Sequence, residues 1–99
     1  MRAAVTTSSA IVRQATPYTK LLILQNQNTD ADIFIGWGET AVSAAGDETA
    51  GIMLARAESA TKPTTMLIGG DDLVSVASSP FKAIHNGSGT KYLTIQSIR

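Results

Sequence analysis

Few residues in this chain could take part in catalysis. His85 is the only histidine among the 99 residues, and the chain has no cysteine. A Ser-His-Asp or Cys-His catalytic group would therefore have to use His85, yet no GxSxG nucleophile motif or cysteine accompanies it. Because catalysis needs several groups positioned together, the sequence predicts no enzyme and no catalytic residue. The simpler interpretation of His85 is a residue at the end of a strand, beside a turn.

Two pairs of carboxylates resemble the start of metal-binding loops. Asp30 and Asp32 have the DxD spacing that begins a calcium loop, but the glycine and the glutamate required downstream are missing. Asp71 and Asp72 follow two glycines, and adjacent carboxylates in that context are typical of a solvated turn. No third ligand is near either pair, so we predict no metal site and no cofactor.

Two glycine-containing motifs also have ordinary explanations. Gly36-Trp37-Gly38 begins like a nucleotide-binding loop, but the third glycine and the phosphate-capping helix are missing. Asn86-Gly87-Ser88 fits the glycosylation sequon, and a type I′ turn explains Asn-Gly without it. Trp37 belongs to a residue type enriched at interface hot spots, although buried tryptophans are equally common. Whether Trp37 packs in the core or binds a partner stays open at this level.

The composition disfavours several classes of function. Eight Lys and Arg residues balance eight Asp and Glu residues, so no field of one sign favours direct binding to nucleic acid or anionic lipid. No run approaches the roughly 20 apolar residues that cross a bilayer, and the N-terminus lacks a secretory signal, so we expect a soluble protein made in a cytoplasm. A hydrophobic fraction of 43% predicts a packed core. Without disulfides, self-association is the expected further source of stability.

A series of short apolar segments predicts the strands that position the candidate residues named above. Residues 1–16 predict an extended N-terminal arm or an edge strand, and residues 17–99 predict a single domain. Tyr18–Gln25 has apolar residues on both faces, which predicts a strand covered on both sides. Asn26–Asp32 is rich in turn-forming residues and predicts a loop that joins antiparallel strands.

The segment Asp32–Gly38 has the alternation of a strand. Its glycines suggest a bulge, a bend or a close backbone approach. After it we expect a loop and a strand at Gly51–Ala55, in preference to a helix over Glu48–Ser59. Further strands are predicted at Thr65–Ile68, Leu73–Ala77, Phe81–His85 and Lys91–Ile98, with the last two forming a hairpin through residues 86–89. The fold class is therefore all-β, an antiparallel β-sandwich or jelly-roll-like barrel of about seven to eight short strands.

Three parts of this pattern resemble a group of small virion proteins of tailed bacteriophages. The matching residues are Ile33, Phe34, Ile35, Gly36 and Gly38 in the first part, Gly51, Ile52 and Leu54 in the second, and Ala83, Ile84, Gly87, Leu93, Thr94 and Ile95 in the third. The chain departs from the group at Arg56-Ala57-Glu58, where a Pro-Gly-Glu turn is expected. The resemblance covers most of the chain beyond about Pro17.

The resemblance implies a capsid decoration (cement) protein on the outer surface of the phage head, made in the bacterial cytoplasm of the host. Its implied partners are the major capsid protein and further copies of itself, with a trimer favoured and a dimer as the alternative. The residues expected at such interfaces are Arg2, Val5, Ile11, Val12 and Trp37. The alternatives are a small tail, fibre-base or head–tail joining protein, and a carbohydrate-binding module that stacks sugars on Trp37 and Tyr92.

Overall fold

Eight β-strands form two antiparallel sheets in the computed structural model, which describes residues 1–16, 18–37, 52–69 and 77–99. The strands are β1 (Arg2–Val5), β2 (Ala10–Arg13), β3 (Leu21–Asn26), β4 (Ile33–Trp37), β5 (Ile52–Leu54), β6 (Thr64–Gly69), β7 (Phe81–His85) and β8 (Lys91–Ile98). The first sheet has the order β1-β8-β3-β6, and the second has the order β2-β7-β4-β5.

The strand pairs are nested inside one another. Strand β1 pairs with β8, β2 with β7, β3 with β6 and β4 with β5, as in one long hairpin that turns between β4 and β5. The pairs β3–β8 and β4–β7 then complete the two sheets. Eight antiparallel strands rolled into two packed sheets in this way form a jelly roll. The predicted fold class is confirmed.

The connections between strands differ from those expected. The predicted hairpin of Phe81–His85 with Lys91–Ile98 is wrong, because β7 belongs to the second sheet and β8 to the first. Residues 86–90 therefore cross between the sheets, and residues 27–32 do the same between β3 and β4. The type I′ turn at Asn86-Gly87 is also wrong, since that turn needs positive φ at both residues and the positive φ here is at Gly89, at 70°.

Alternating side chains of the central strands form the core between the sheets. Leu22 and Leu24 of β3 are fully buried, and Ile33 and Ile35 of β4 meet them from the second sheet. Each such side chain contributes roughly 1.5–3 kcal/mol through the apolar surface that it buries. The prediction that Tyr18–Gln25 is covered on both sides is met on one side only, because the outward-facing residues of β3 are half-buried.

Edge positions are occupied by β1, β2, β5 and β6. Strand β1 lies at the edge of the first sheet and β2 at the edge of the second, so residues 2–13 are part of the sandwich. The register of β2 against β7 shifts between Ile11 and Arg13, which places a bulge at Val12. At Gly36, where the sequence suggests a bulge, β4 pairs with β7 without a register shift.

The predicted strand at Gly51–Ala55 is confirmed at Ile52–Leu54, which form β5, and Gly51 lies outside the described residues. Other expectations fall outside the described residues, wholly or in part. These are Gly38, the predicted loop from Glu39 onward, Asp71-Asp72, and most of the predicted strand Leu73–Ala77. Ala77 itself is fully buried in the core.

Candidate interaction surfaces

His85 shapes a turn inside the fold. Its side chain is buried, its Nδ1 accepts a hydrogen bond from the Gly87 backbone N–H at 3.0 Å, and its Nε2 lies 2.6 Å from the Gly89 carbonyl oxygen. Because Gly87 must be the donor, Nδ1 is unprotonated and Nε2 carries the hydrogen that goes to Gly89. Both ring nitrogens therefore hold the 86–90 connection.

The two aspartates of the DxD motif bind cations of the chain itself. Asp32 accepts hydrogen bonds from the Arg56 backbone N–H at 2.8 Å and from Arg56 Nε and Nη2, each at 3.2 Å. The guanidinium, with a further hydrogen bond from Asn86, lowers the pKa of Asp32 to about 2. Asp30 pairs with Lys91 at 2.8 Å, and this hydrogen bond lowers the pKa of Asp30. Among the described residues, no group of three or more His, Cys, Asp or Glu side chains could hold a metal ion.

Asn26 holds the same end of the sandwich together from inside. It is fully buried, its Nδ2 donates to the carbonyl oxygens of Ala31 and Leu54 at 3.0 Å each, and its Oδ1 accepts from the Asn28 backbone N–H at 3.0 Å. Together with Asp32, Asn86 and His85, it links three connections between strands, at residues 27–32, 55–63 and 86–90. We call the end of the sandwich formed by these three connections the polar end. In sequence Asn26 is one turn-forming residue among several, and no signal there indicates its burial.

At the opposite end a buried cation binds several segments. Arg13 is 3% exposed, and its Nη1 donates to the carbonyl oxygens of Ala77 at 2.7 Å and Ser79 at 3.1 Å. Its Nη2 donates to the hydroxyls of Thr19 and Ser97, each at 3.1 Å. Burial lowers the pKa of the guanidinium, and the partners found within the described ranges are all neutral oxygens. We call this the Arg13 end. It borders an open cleft of about 820 Å³ beside β2 and β8.

The five residues predicted at interfaces lie in different environments. Arg2 is exposed, with its guanidinium 4.3 Å from the centre of the Tyr92 ring, and Ile11 is 51% exposed on the edge strand β2. Val12 is half-buried against the core. Val5 is fully buried in the core, so its side chain is not available to a partner and the prediction for it is wrong.

Trp37 packs against the core from the second sheet. Its ring lies 5.3 Å from the Phe81 ring at a tilt of 44°, on the same face of β4 as the fully buried Ile33 and Ile35. Tyr92 lies on the outer face of the first sheet, next to the inward-facing Leu93. The two aromatic rings therefore do not share a face, and the sugar-stacking platform proposed for them does not form.

The outer face of the first sheet carries a group of apolar side chains. In the strand register Ile23 lies opposite Leu67, and Leu21 lies opposite Ile98, so the four side chains occupy adjacent positions on β6, β3 and β8. Leu67 is 64% exposed and Ile98 is 42% exposed, while the other two are half-buried. We call these four residues the apolar strip. Adjacent exposed apolar residues of this kind are typical of protein interaction sites.

Comparison of the chain with protein-family models, with curated proteins and with solved structures gave no match. No helix in the described part of the chain could span a lipid bilayer. The candidate site is thus defined by the geometry alone. It consists of the apolar strip, the edge of β6 that no described strand pairs with, and the cleft beside Arg13.

Proposed function

We propose that this chain is a structural protein of a bacteriophage particle, a decoration protein that binds the outer surface of the head and stabilises it. The observation that carries the proposal is the apolar strip on the outer face of the first sheet, since this face can bury apolar surface against a capsid subunit. The motif resemblance to small virion proteins supports the same role. On this proposal the partner is the major capsid protein.

The charge of the chain suits such a role. With eight basic and eight acidic residues, neighbouring copies on a crowded shell do not repel one another strongly. Binding across a seam between subunits adds buried apolar area to both subunits, and it shifts their equilibrium toward the assembled shell by mass action. A trimer is the expected assembly at a three-fold position of a capsid, with a dimer as the alternative.

The proposal is tested by adding the purified chain to phage heads that lack it, followed by co-sedimentation and cryo-electron microscopy. We expect binding to the outer shell, and we expect heads carrying the chain to resist heating better than bare heads. Ile23→Glu places a charge in the apolar strip and should weaken binding at least about tenfold. Met53→Glu, at an exposed position of β5 in the second sheet, is the matched control and should bind like the wild type.

Absence of the chain from the head shell would contradict the proposal, as would equal binding by the Ile23→Glu variant. A few copies per particle, measured by densitometry of purified virions, would instead favour a small tail, fibre-base or head–tail joining protein. Hundreds of copies are expected of a decoration protein.

A further inference from the structure

Within its own residues, strand β6 has no charge, proline or bulge of the kind that usually stops an edge strand from pairing with another chain. It has six residues, Thr64–Gly69, of which none is charged and none is proline, and it pairs with β3 without a register shift. In the described part of the chain β3 is its only partner strand. A regular, uncharged edge strand presents a row of backbone N–H and C=O groups that can accept another strand.

Each of the other three edge strands has a feature that hinders pairing with a further strand. Strand β5 has only three residues, and β2 has four residues with a bulge at Val12. Strand β1 has four residues and carries Arg2. Short length, bulges and charges are the usual devices that prevent edge-to-edge pairing, and β6 is the edge without them.

We propose that β6 pairs antiparallel with β6 of a second copy of this chain, about a two-fold axis at Leu67. In this register Leu67 lies opposite its own counterpart, Met66 lies opposite Ile68, and Thr65 lies opposite Gly69. Residues directly opposite in an antiparallel pair share a face, so Leu67 of both copies stays on the outer face. The two first sheets then form one continuous eight-stranded sheet.

A second copy fits this edge because the charges and the apolar groups match. Uncharged residues face uncharged residues in every opposed pair, so no unpaired charge is buried on association. Leu67, which is 64% exposed in the single chain, becomes covered, and so do the half-buried Met66 and Ile68. The apolar strips of the two copies also join into one larger strip. An isologous two-fold contact needs one self-complementary patch, and β6 supplies it.

This inference does not depend on the capsid proposal, because it concerns only the chain and its own copy. It favours the dimer over the trimer as the state of the free protein. Sedimentation equilibrium of the purified full chain tests it directly, and we expect a concentration-dependent dimer. Leu67→Lys and Leu67→Glu, each tested alone, place like charges opposite each other and should weaken the dimer at least about tenfold.

Mixing the Leu67→Lys variant with the Leu67→Glu variant should restore a dimer, because opposite charges then face each other across the axis. Met53→Lys, at an exposed apolar position on the edge strand β5, is the matched control and should dimerise like the wild type. Circular dichroism of each variant verifies folding, which we expect to be retained because residue 67 faces solvent in the single chain.

A monomeric or trimeric wild type at all concentrations would overturn the inference. So would a dimer that survives Leu67→Lys, or a mixture of the two charge variants that stays monomeric. Hydrogen exchange gives a second measurement, in which those amides of residues 64–69 that point away from β3 should become more protected as the protein concentration rises. Protection that does not change with concentration would also contradict the proposed pairing.

Discussion

The two ends of the sandwich are stabilised in different ways. At the polar end the hydrogen bonds between connections are shared among several side chains. Asn26, Asp32, Asn86 and His85 each bind backbone groups or side chains of neighbouring connections. At the Arg13 end one guanidinium binds four oxygens from three separate segments. The first arrangement divides its contacts among several side chains, whereas the second concentrates four side-chain hydrogen bonds on Arg13, beside those of Thr16 and Thr19 to the same segments.

This difference predicts unequal sensitivity to mutation. A buried side chain that serves several acceptors leaves all of them without a partner when it is removed, and each unsatisfied buried group costs about 1–3 kcal/mol. A network shared among several side chains loses only part of its hydrogen bonds in any one substitution. Three substitutions test this contrast, in order of decreasing expected effect.

Arg13→Leu should have the largest effect. It removes the cation and leaves the carbonyl oxygens of Ala77 and Ser79 and the hydroxyl of Thr19 without that donor, so we expect a loss of about 3–5 kcal/mol in the free energy of unfolding. Urea denaturation followed by circular dichroism measures this change. Arg2→Leu, at an exposed arginine, is the matched control and should cost less than about 1 kcal/mol. Equal losses in the two variants would show that Arg13 does not hold its end of the fold.

Asn26→Asp should have the next largest effect. The substitution keeps the shape of the side chain but replaces the donor amide with an oxygen that faces the carbonyl oxygens of Ala31 and Leu54. We expect a loss of about 2–4 kcal/mol at neutral pH, measured by the same denaturation. Gln27→Glu makes the same chemical change at an exposed neighbour and should be nearly neutral. A neutral result for Asn26→Asp would contradict the role assigned to the buried amide.

Asp32 should give a smaller effect that depends on pH. Its pKa is lowered from 3.8 to about 2, so its contribution is present above about pH 4 and is lost as the pH falls through about 2. Because Arg56 is half exposed, we expect this contribution to be about 1–2 kcal/mol. Thermal unfolding between pH 5 and about pH 2 should show a steeper loss for the wild type than for Asp32→Asn. Glu58→Gln, at an exposed carboxylate, should keep the wild-type slope, and parallel curves for all three proteins would refute the assignment.

The bounds of the strands could be predicted from sequence better than the pairing of one strand with another. Phe81–His85 and Lys91–Ile98 were predicted with the bounds that the structure has, because apolar alternation and flanking turn residues mark both segments. Their assignment to different sheets could not be predicted, since Asn and Gly residues initiate hairpins and crossing connections alike. For this reason the sequence predicts a hairpin between these two strands, whereas in the structure residues 86–90 cross from one sheet to the other.

The site was less predictable than the fold. The partners of Arg13 include Ala77 and Ser97, which lie 64 and 84 residues away in sequence, so no local pattern indicates that this cation is buried. Val5 was misplaced because β-branched residues near the N-terminus fit an arm and a strand equally well. Ile11, which the sequence places at an interface, is 51% exposed, and its role there stays a prediction.

The central place of β8 in the first sheet also determines when the protein can fold. Strand β8 lies between β1 and β3, so neither of these strands acquires that neighbour before residues 91–98 have been synthesised. Pairing of β1 with β8 joins segments about 90 residues apart, and such non-local pairing gives folding times of roughly milliseconds to seconds. The first sheet therefore assembles only after translation has reached the last strand. Until then, among the strands of this sheet, β3 and β6 can form only a two-stranded ribbon with an unpaired edge on each side.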